Sequence, residues 1–201
     1  APLNRITMDL GLIAKNAIVF GASSGLGRAA AHSLASEGCN TTLVARDSEK
    51  LKIVSNEILK VHNVTSDYFV ADLTKDHDVS SLMADISDRK YDILINNTGG
   101  PPPSSPIDTD NNVLDLFVKS ILLNTIRITN SLIPSMIKKN WGRVITITSS
   151  GVVQPIDNLS VSNTLRPAVT GFMKTLSNQV AEHGITVNTV MPGRITTDRT
   201  L

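Results

Sequence analysis

The run NAIVFGASSGLGRAAAHSL, residues 16–34, constrains the fold more than any other part of the chain. NAIVF is a short, β-rich apolar run of the kind buried on both faces of a parallel sheet. It stops at Gly21. Three residues separate it from Gly25 and one separates Gly25 from Gly27, where a helical pattern begins. Glycine allows the positive φ of a tight turn and lets a ligand come close to the backbone. The first N–H groups of the helix have no partner within it and point back at the strand end, where an anionic phosphate can take them. Strand, glycine turn and helix together open a βαβ unit, and that context gives the glycine pattern its meaning.

The same alternation continues along the chain. TTLVA is a strand and SEKLKIVSNEILKVH a helix. SDYFVADL is a strand and VSSLMADISDR a helix, and YDILINN is the fourth strand. A long apolar helix is expected over residues 112–139. GRVITITS is then a strand, AVTGFMKTLSNQVAEHG a helix and ITVNTVMPG a sixth strand. Six strands separated by helices predict right-handed crossovers and one α/β domain, a Rossmann-type doubly wound parallel sheet. In such sheets ligands bind beyond the carboxyl ends of the strands. Residues 1–7 are set aside as an N-terminal extension or cloning remnant, and residues 8–201 are read as the domain.

Composition narrows the function. With 201 residues, 41% hydrophobic and 18% charged, the chain has the balance of a globular domain with a sizeable core. Nineteen basic against 18 acidic residues leave a net charge of +1, without the basic excess of a nucleic-acid binder. No uninterrupted apolar run spans a bilayer, and no membrane partner is expected. Cys39 is the single cysteine, so no internal disulfide can form, which suits a reducing cytoplasm. No metal site is expected.

The glycine spacing resembles the GxxxGxG turn of the short-chain dehydrogenase/reductase family, and further segments resemble that family in order. DLT, residues 72–74, follows the third strand. NNTGG, residues 96–100, is similar to the family's NNAG, with Thr98 for alanine. GRVITITSSG matches the strand that carries the family's serine, and PGRITT, residues 192–197, resembles its PGxIxT segment. On these motifs the chain is identified as a member. The resemblance implies strand order 3-2-1-4-5-6 and a nicotinamide dinucleotide held by Gly21, Ser23, Ser24, Gly25, Leu26, Gly27, Asp72, Leu73, Asn97, Thr98, Gly99, Pro192, Gly193, Ile195 and Thr197. After the second strand, where an acidic residue would bind the ribose of NAD, stand Ala45 and Arg46. The planar fork of Arg46 suits a 2′-phosphate, so NADP(H) is preferred over NAD(H). Against that, Ser24 stands where NADP-binding relatives often carry a basic residue, and Arg46 could instead pair with Asp47.

Relatives use a serine, then a tyrosine and lysine spaced YxxxK, with a supporting asparagine on the central helix. Ser149 matches the serine. Alignment through AVTGF places Ser162 at the tyrosine position and Arg166 at the lysine position, where Arg166 would also touch the nicotinamide ribose. The asparagine position falls near Ser120 or Ile121. A serine hydroxyl is a far weaker acid than tyrosine, and arginine stays protonated. Neither Tyr68, Tyr91 nor any of the four histidines maps to the site. Pro167 disfavours helical geometry at Arg166 and suits a first helical position. The helix would then start late, with Ser162, Asn163 and Thr164 as its caps.

The resemblance further implies hydride transfer between the cofactor and a small-molecule carbonyl or alcohol, and a homodimer or homotetramer. The alternative is a catalytically silent dinucleotide-binding sensor or scaffold. A substrate-covering segment usual in relatives is not seen before Leu201.

Overall fold

The computed structural model describes residues 8–196. The expected extension of residues 1–7 therefore lies outside the described residues. Six strands form one parallel sheet: β1 (Asn16–Phe20), β2 (Asn40–Ala45), β3 (Ser66–Val70), β4 (Ile93–Asn97), β5 (Gly142–Ile147) and β6 (Ile185–Val190). Their order is β3-β2-β1-β4-β5-β6. The order reverses between β1 and β4, which opens a crevice above their carboxyl ends.

Burial follows the apolar pattern. Residues 17–20 of β1 are almost wholly inaccessible, whereas the edge strands β3 and β6 alternate between covered and open positions. Helices α1 (Gly25–Ser36) and α2 (Ser48–His62) cover one face through Ala31, Ala35, Leu51, Val54 and Ile58. Helix α3 (Asp76–Ser87) and the helices of the second half cover the other. Asp47 caps α2 by accepting from the Lys50 amide at 3.0 Å, and Asn63 ends it in left-handed geometry. Cys39 is buried and its thiol donates to the Leu12 carbonyl. Burial, reinforced by Asp92 and Glu37, pushes that thiol up to about 11.

Two helices depart from expectation. The central one is not a uniform α-helix: α4 (Asn111–Phe117) passes through a π-helical stretch, Val118–Leu123, into α5 (Asn124–Lys139). Each π turn accommodates an extra residue and so rotates the side chains that follow. Over Asn111–Lys139 the chain is long and apolar enough, by length and composition, to cross a membrane. Its apolarity is spread among serines, threonines and asparagines, so no uninterrupted run reveals it. Here its inner face, including Ile128, Leu132 and Met136, packs on the sheet.

The last helix, α6 (Ser160–Val180), starts before Pro167 rather than after it. The proline lies within the helix and removes one N–H, at a cost of about 3 kcal/mol. The buried stripe of Val161, Leu165, Val169, Met173, Leu176 and Val180 outweighs that cost, at roughly 1.5–3 kcal/mol per fully buried side chain. The shifted start expected from Pro167 does not occur.

Candidate active site

One cleft of about 740 Å³ runs along the carboxyl ends of the strands. Its first wall is the glycine turn. Gly21 and Gly25 have φ of 62° and 54°. Ser24 caps α1 in extended geometry without using its side chain, and no acidic residue occupies the first turn. The helix terminus thus keeps its positive end and its free amides for an anion. Ser23, Ser24, Gly25 and Leu26 line the cleft, but Gly27 does not. A side chain on Gly27 would overlap the Gly21 carbonyl and come within 2.8 Å of Asn97 Nδ2. Gly27 therefore lets the helix pack against the turn. This arrangement suits a pyrophosphate.

Beyond β2, the exposed Arg46 lines the cleft with Asp47 and Lys50. Asp47 is engaged by the α2 amide and lies 4.0 Å from Lys50 Nζ. Sequence reasoning missed Lys50, although a second cation four residues after Arg46 was visible.

Asp72 lines the cleft after β3. Its carboxylate accepts from the Thr74 amide at 3.0 Å and from the Thr74 hydroxyl at 2.8 Å. Burial alone would raise its pKa, but these bonds, aided by Arg46 and Lys75, hold the carboxyl below its usual range. It does not cap α3, whose cap is Lys75. Leu73 lines the cleft, and its carbonyl accepts from Asn124 Nδ2 at 2.8 Å, which anchors α5 to this loop.

The two asparagines ending β4 diverge, as strand alternation requires. Asn96 is buried and donates to Thr129 and Thr146, joining α5 to β5. Asn97, Thr98 and Gly99 face the cleft.

The segment carrying Ser149 and the start of α6 close the far end. Ser149, Ser162 and Arg166 all line the cleft. Ser149 Oγ accepts from the Gly151 amide at 3.1 Å, which leaves its own proton to be donated elsewhere. Ser162 and Arg166 are 8% and 7% exposed, one helical turn apart, with Arg166 Nε donating to Ser162 Oγ at 3.1 Å. Ser162 therefore faces the site and is no cap. Asn163 turns the other way and pairs with both the amide and carbonyl of Ile156.

Ser120, from the π-helical stretch, also lines the cleft, and its buried hydroxyl has no hydrogen-bond partner. Ile121, the other residue near the asparagine position, is in the core. Pro192, Gly193 and Ile195 complete the wall after β6. Thr197 lies outside the described residues. No tyrosine or histidine is among the residues lining this cleft, and no metal-binding cluster occurs among the described residues.

A parallel sheet in this order, with a glycine turn and a polar cleft at its switch point, defines a dinucleotide-binding α/β protein. The short chain dehydrogenase family matches residues 15–200, and the chain belongs to that family. Among curated relatives, the D-beta-hydroxybutyrate dehydrogenase of Rhizobium meliloti (strain 1021) is 32% identical over 188 residues, 91% of this chain and 72% of the relative. The human inactive hydroxysteroid dehydrogenase-like protein 1 is 28% identical over 188 residues, 92% of this chain but only 57% of that protein. The structure of L-sorbose reductase from Gluconobacter frateurii, complexed with NADPH and L-sorbose, superposes with a TM-score of 0.90 at 27% identity, covering 96% of this chain and 74% of that one.

Proposed function

We propose that this chain is an NADP(H)-dependent oxidoreductase that moves hydride between the nicotinamide and a carbonyl/alcohol pair, with serine and arginine standing at the family's tyrosine and lysine positions. The observation that carries this reading is a single cleft joining the glycine turn, Arg46, Asp72 and Asn97 to Ser149, Ser162 and Arg166. The NADPH-bound sorbose reductase, of the same fold, supports the cofactor assignment. Bound NADPH would supply the hydride.

The chain's own residues do the rest. The amides opening α1 hold the pyrophosphate, and Arg46 with Lys50 holds the 2′-phosphate. Ser149, whose oxygen accepts from the Gly151 amide, donates a hydrogen bond to the carbonyl oxygen and polarises it. Arg166, permanently charged, stabilises the oxyanion that develops there. Because Ser162 accepts from Arg166, its hydroxyl proton is left available to hold a water. That water delivers the proton, since neither Ser149 nor Ser162 has a usable pKa. Thr197 is retained in this reading as a nicotinamide contact.

Spectrophotometric NADPH oxidation with a panel of ketones and aldehydes tests the assignment. Slow turnover is expected. NADPH binding without any turnover would instead favour the silent dinucleotide-binding reading. Replacing Arg46 with alanine should weaken NADPH binding by roughly 1.5–3 kcal/mol, the scale of a charged hydrogen bond, and leave NADH nearly unchanged. Equal losses for both cofactors in calorimetry would overturn the assignment.

A homodimer or homotetramer is part of the same proposal. Leu123 on the central helix, outside the cleft lining, is 41% exposed, an apolar position suited to a second copy. Light scattering at micromolar concentration is expected to show at least a dimer, and a strict monomer would refute it. Residues 8–201 are read as one domain acting in the cytoplasm, where the single buried thiol needs no partner. Cell fractionation tests the location.

A further inference from the structure

The wall beside Ser149, Ser162 and Arg166 is made of side chains that dinucleotide binding leaves unused. Leu116 and Phe117 come from the end of α4, and Leu159 from the residue before α6. Leu116 is 41% exposed and so offers apolar surface.

Leu159 is fixed in place. It bridges Ser104 of the loop after β4, and Ser160, next to it, shares hydrogen bonds with Ser104 at 2.8 Å and Thr109 at 2.7 Å. The loop and the start of α6 are thus clasped across this end of the cleft.

Charge is divided unevenly. Arg46, Asp47, Lys50 and Asp72 stand beyond β2 and β3, on one side of the switch point. On the other side, above β4, β5 and β6, Arg166 is the one charged residue lining the cleft among the described residues. The polar side chains on this side are Asn97, Thr98 and Thr148 at the ends of β4 and β5, with Ser120, Ser149 and Ser162, while Leu116, Phe117 and Leu159 give the same part of the lining a hydrocarbon surface.

We propose that the substrate is a carbonyl compound with an uncharged apolar body, an aliphatic or aryl ketone or aldehyde, rather than a sugar or other polyol. The inference rests on the reading of this cleft as a hydride-transfer site. The carbonyl oxygen meets Ser149 and Arg166 on the floor. The body lies against Leu116, Phe117 and Leu159, where a polyol would leave its hydroxyls facing hydrocarbon without partners. Each methylene laid on that wall should tighten binding by roughly three- to fourfold until the wall is covered.

The test is calorimetric binding of methyl ketones from butanone to octanone, and of fructose and sorbitol, to the protein with and without saturating NADP⁺. With the oxidised cofactor the ketones and fructose cannot be reduced, so their binding is read apart from chemistry, and sorbitol, which NADP⁺ could oxidise, is compared in the cofactor-free titration. Affinity is expected to climb along the ketone series and to be undetectable for the polyols. Phe117→Ala and Leu159→Ala should each flatten the climb, with cooperative thermal transitions, lowered for Phe117→Ala because that side chain packs on the core, showing that both fold.

A flat series in the wild-type chain, or tighter binding of a polyol, overturns the proposal. So does a Leu116→Asp variant that changes the association state while leaving the climb intact, because the wall would then be an interface between copies. A steep series for ketones that NADPH never reduces would keep the apolar site and refute hydride transfer.

Discussion

Ser162→Tyr combined with Arg166→Lys is expected to raise ketone reduction, by a factor within the roughly 10²–10⁴-fold range that a positioned general acid contributes. The two native side chains already lie on one face of α6, one turn apart and within 3.1 Å of each other, inside the cleft. Tyrosine at 162 would extend into open cleft, and lysine at 166 would lower its pKa through a nearby positive charge. Because α6 begins at Ser160 and runs through Pro167, no accompanying change at Pro167 is needed. The comparison is steady-state turnover of wild type, both single variants and the pair on one substrate panel. High wild-type turnover lost in Ser162→Ala would make the serine itself the proton donor and sink this account.

The second large effect concerns Gly27. Its replacement by alanine should cost more than about 2 kcal/mol of stability, the overpacking scale, because the new carbon overlaps a backbone carbonyl that has nowhere to retreat. For a chain of this size that is a fall of at least roughly 4–8 °C in Tm. Displacing α1 from Gly21 also misaims the amides at its terminus, and NADPH affinity should drop by about 100-fold, the scale of a 1 Å misplacement in a positioned site. Gly171→Ala is the control. That glycine is in mid-helix with nothing within 4 Å of an added carbon, and alanine there should stabilise by about 0.5–1 kcal/mol. Differential scanning calorimetry and NADPH titration of both variants check the pair. An unchanged Gly27→Ala protein would show that the turn is looser than its packing indicates.

The strands, α2 and the position of the cleft were legible because their signals are local. β1 is an unbroken apolar run and α2 has both its caps in sequence, so neither needed a distant partner to be recognised. The site was legible where backbone geometry carries it, in the glycine turn and the strand ends. It was less so where packing decides. Lys50 and Ser120 reach the cleft only because α2 and the π-helical stretch turn them inward. Asn96 and Asn97 are adjacent in sequence, yet one braces the sheet and the other faces the cleft.

The sequence by itself determined the alternation of strands and helices, the class of ligand site and the serine and arginine set four residues apart at 162 and 166, because periodicity, glycine placement and residue chemistry are properties of the chain read in order. Only the tertiary structure decided that α6 runs through Pro167. Its buried stripe gains more against the sheet than the proline costs, and that sum can be made only once the opposing surface is in place. The pairing of Arg166 with Ser162 inside the cleft, and the clasp that sets Leu159 over its far end, follow from the same packing.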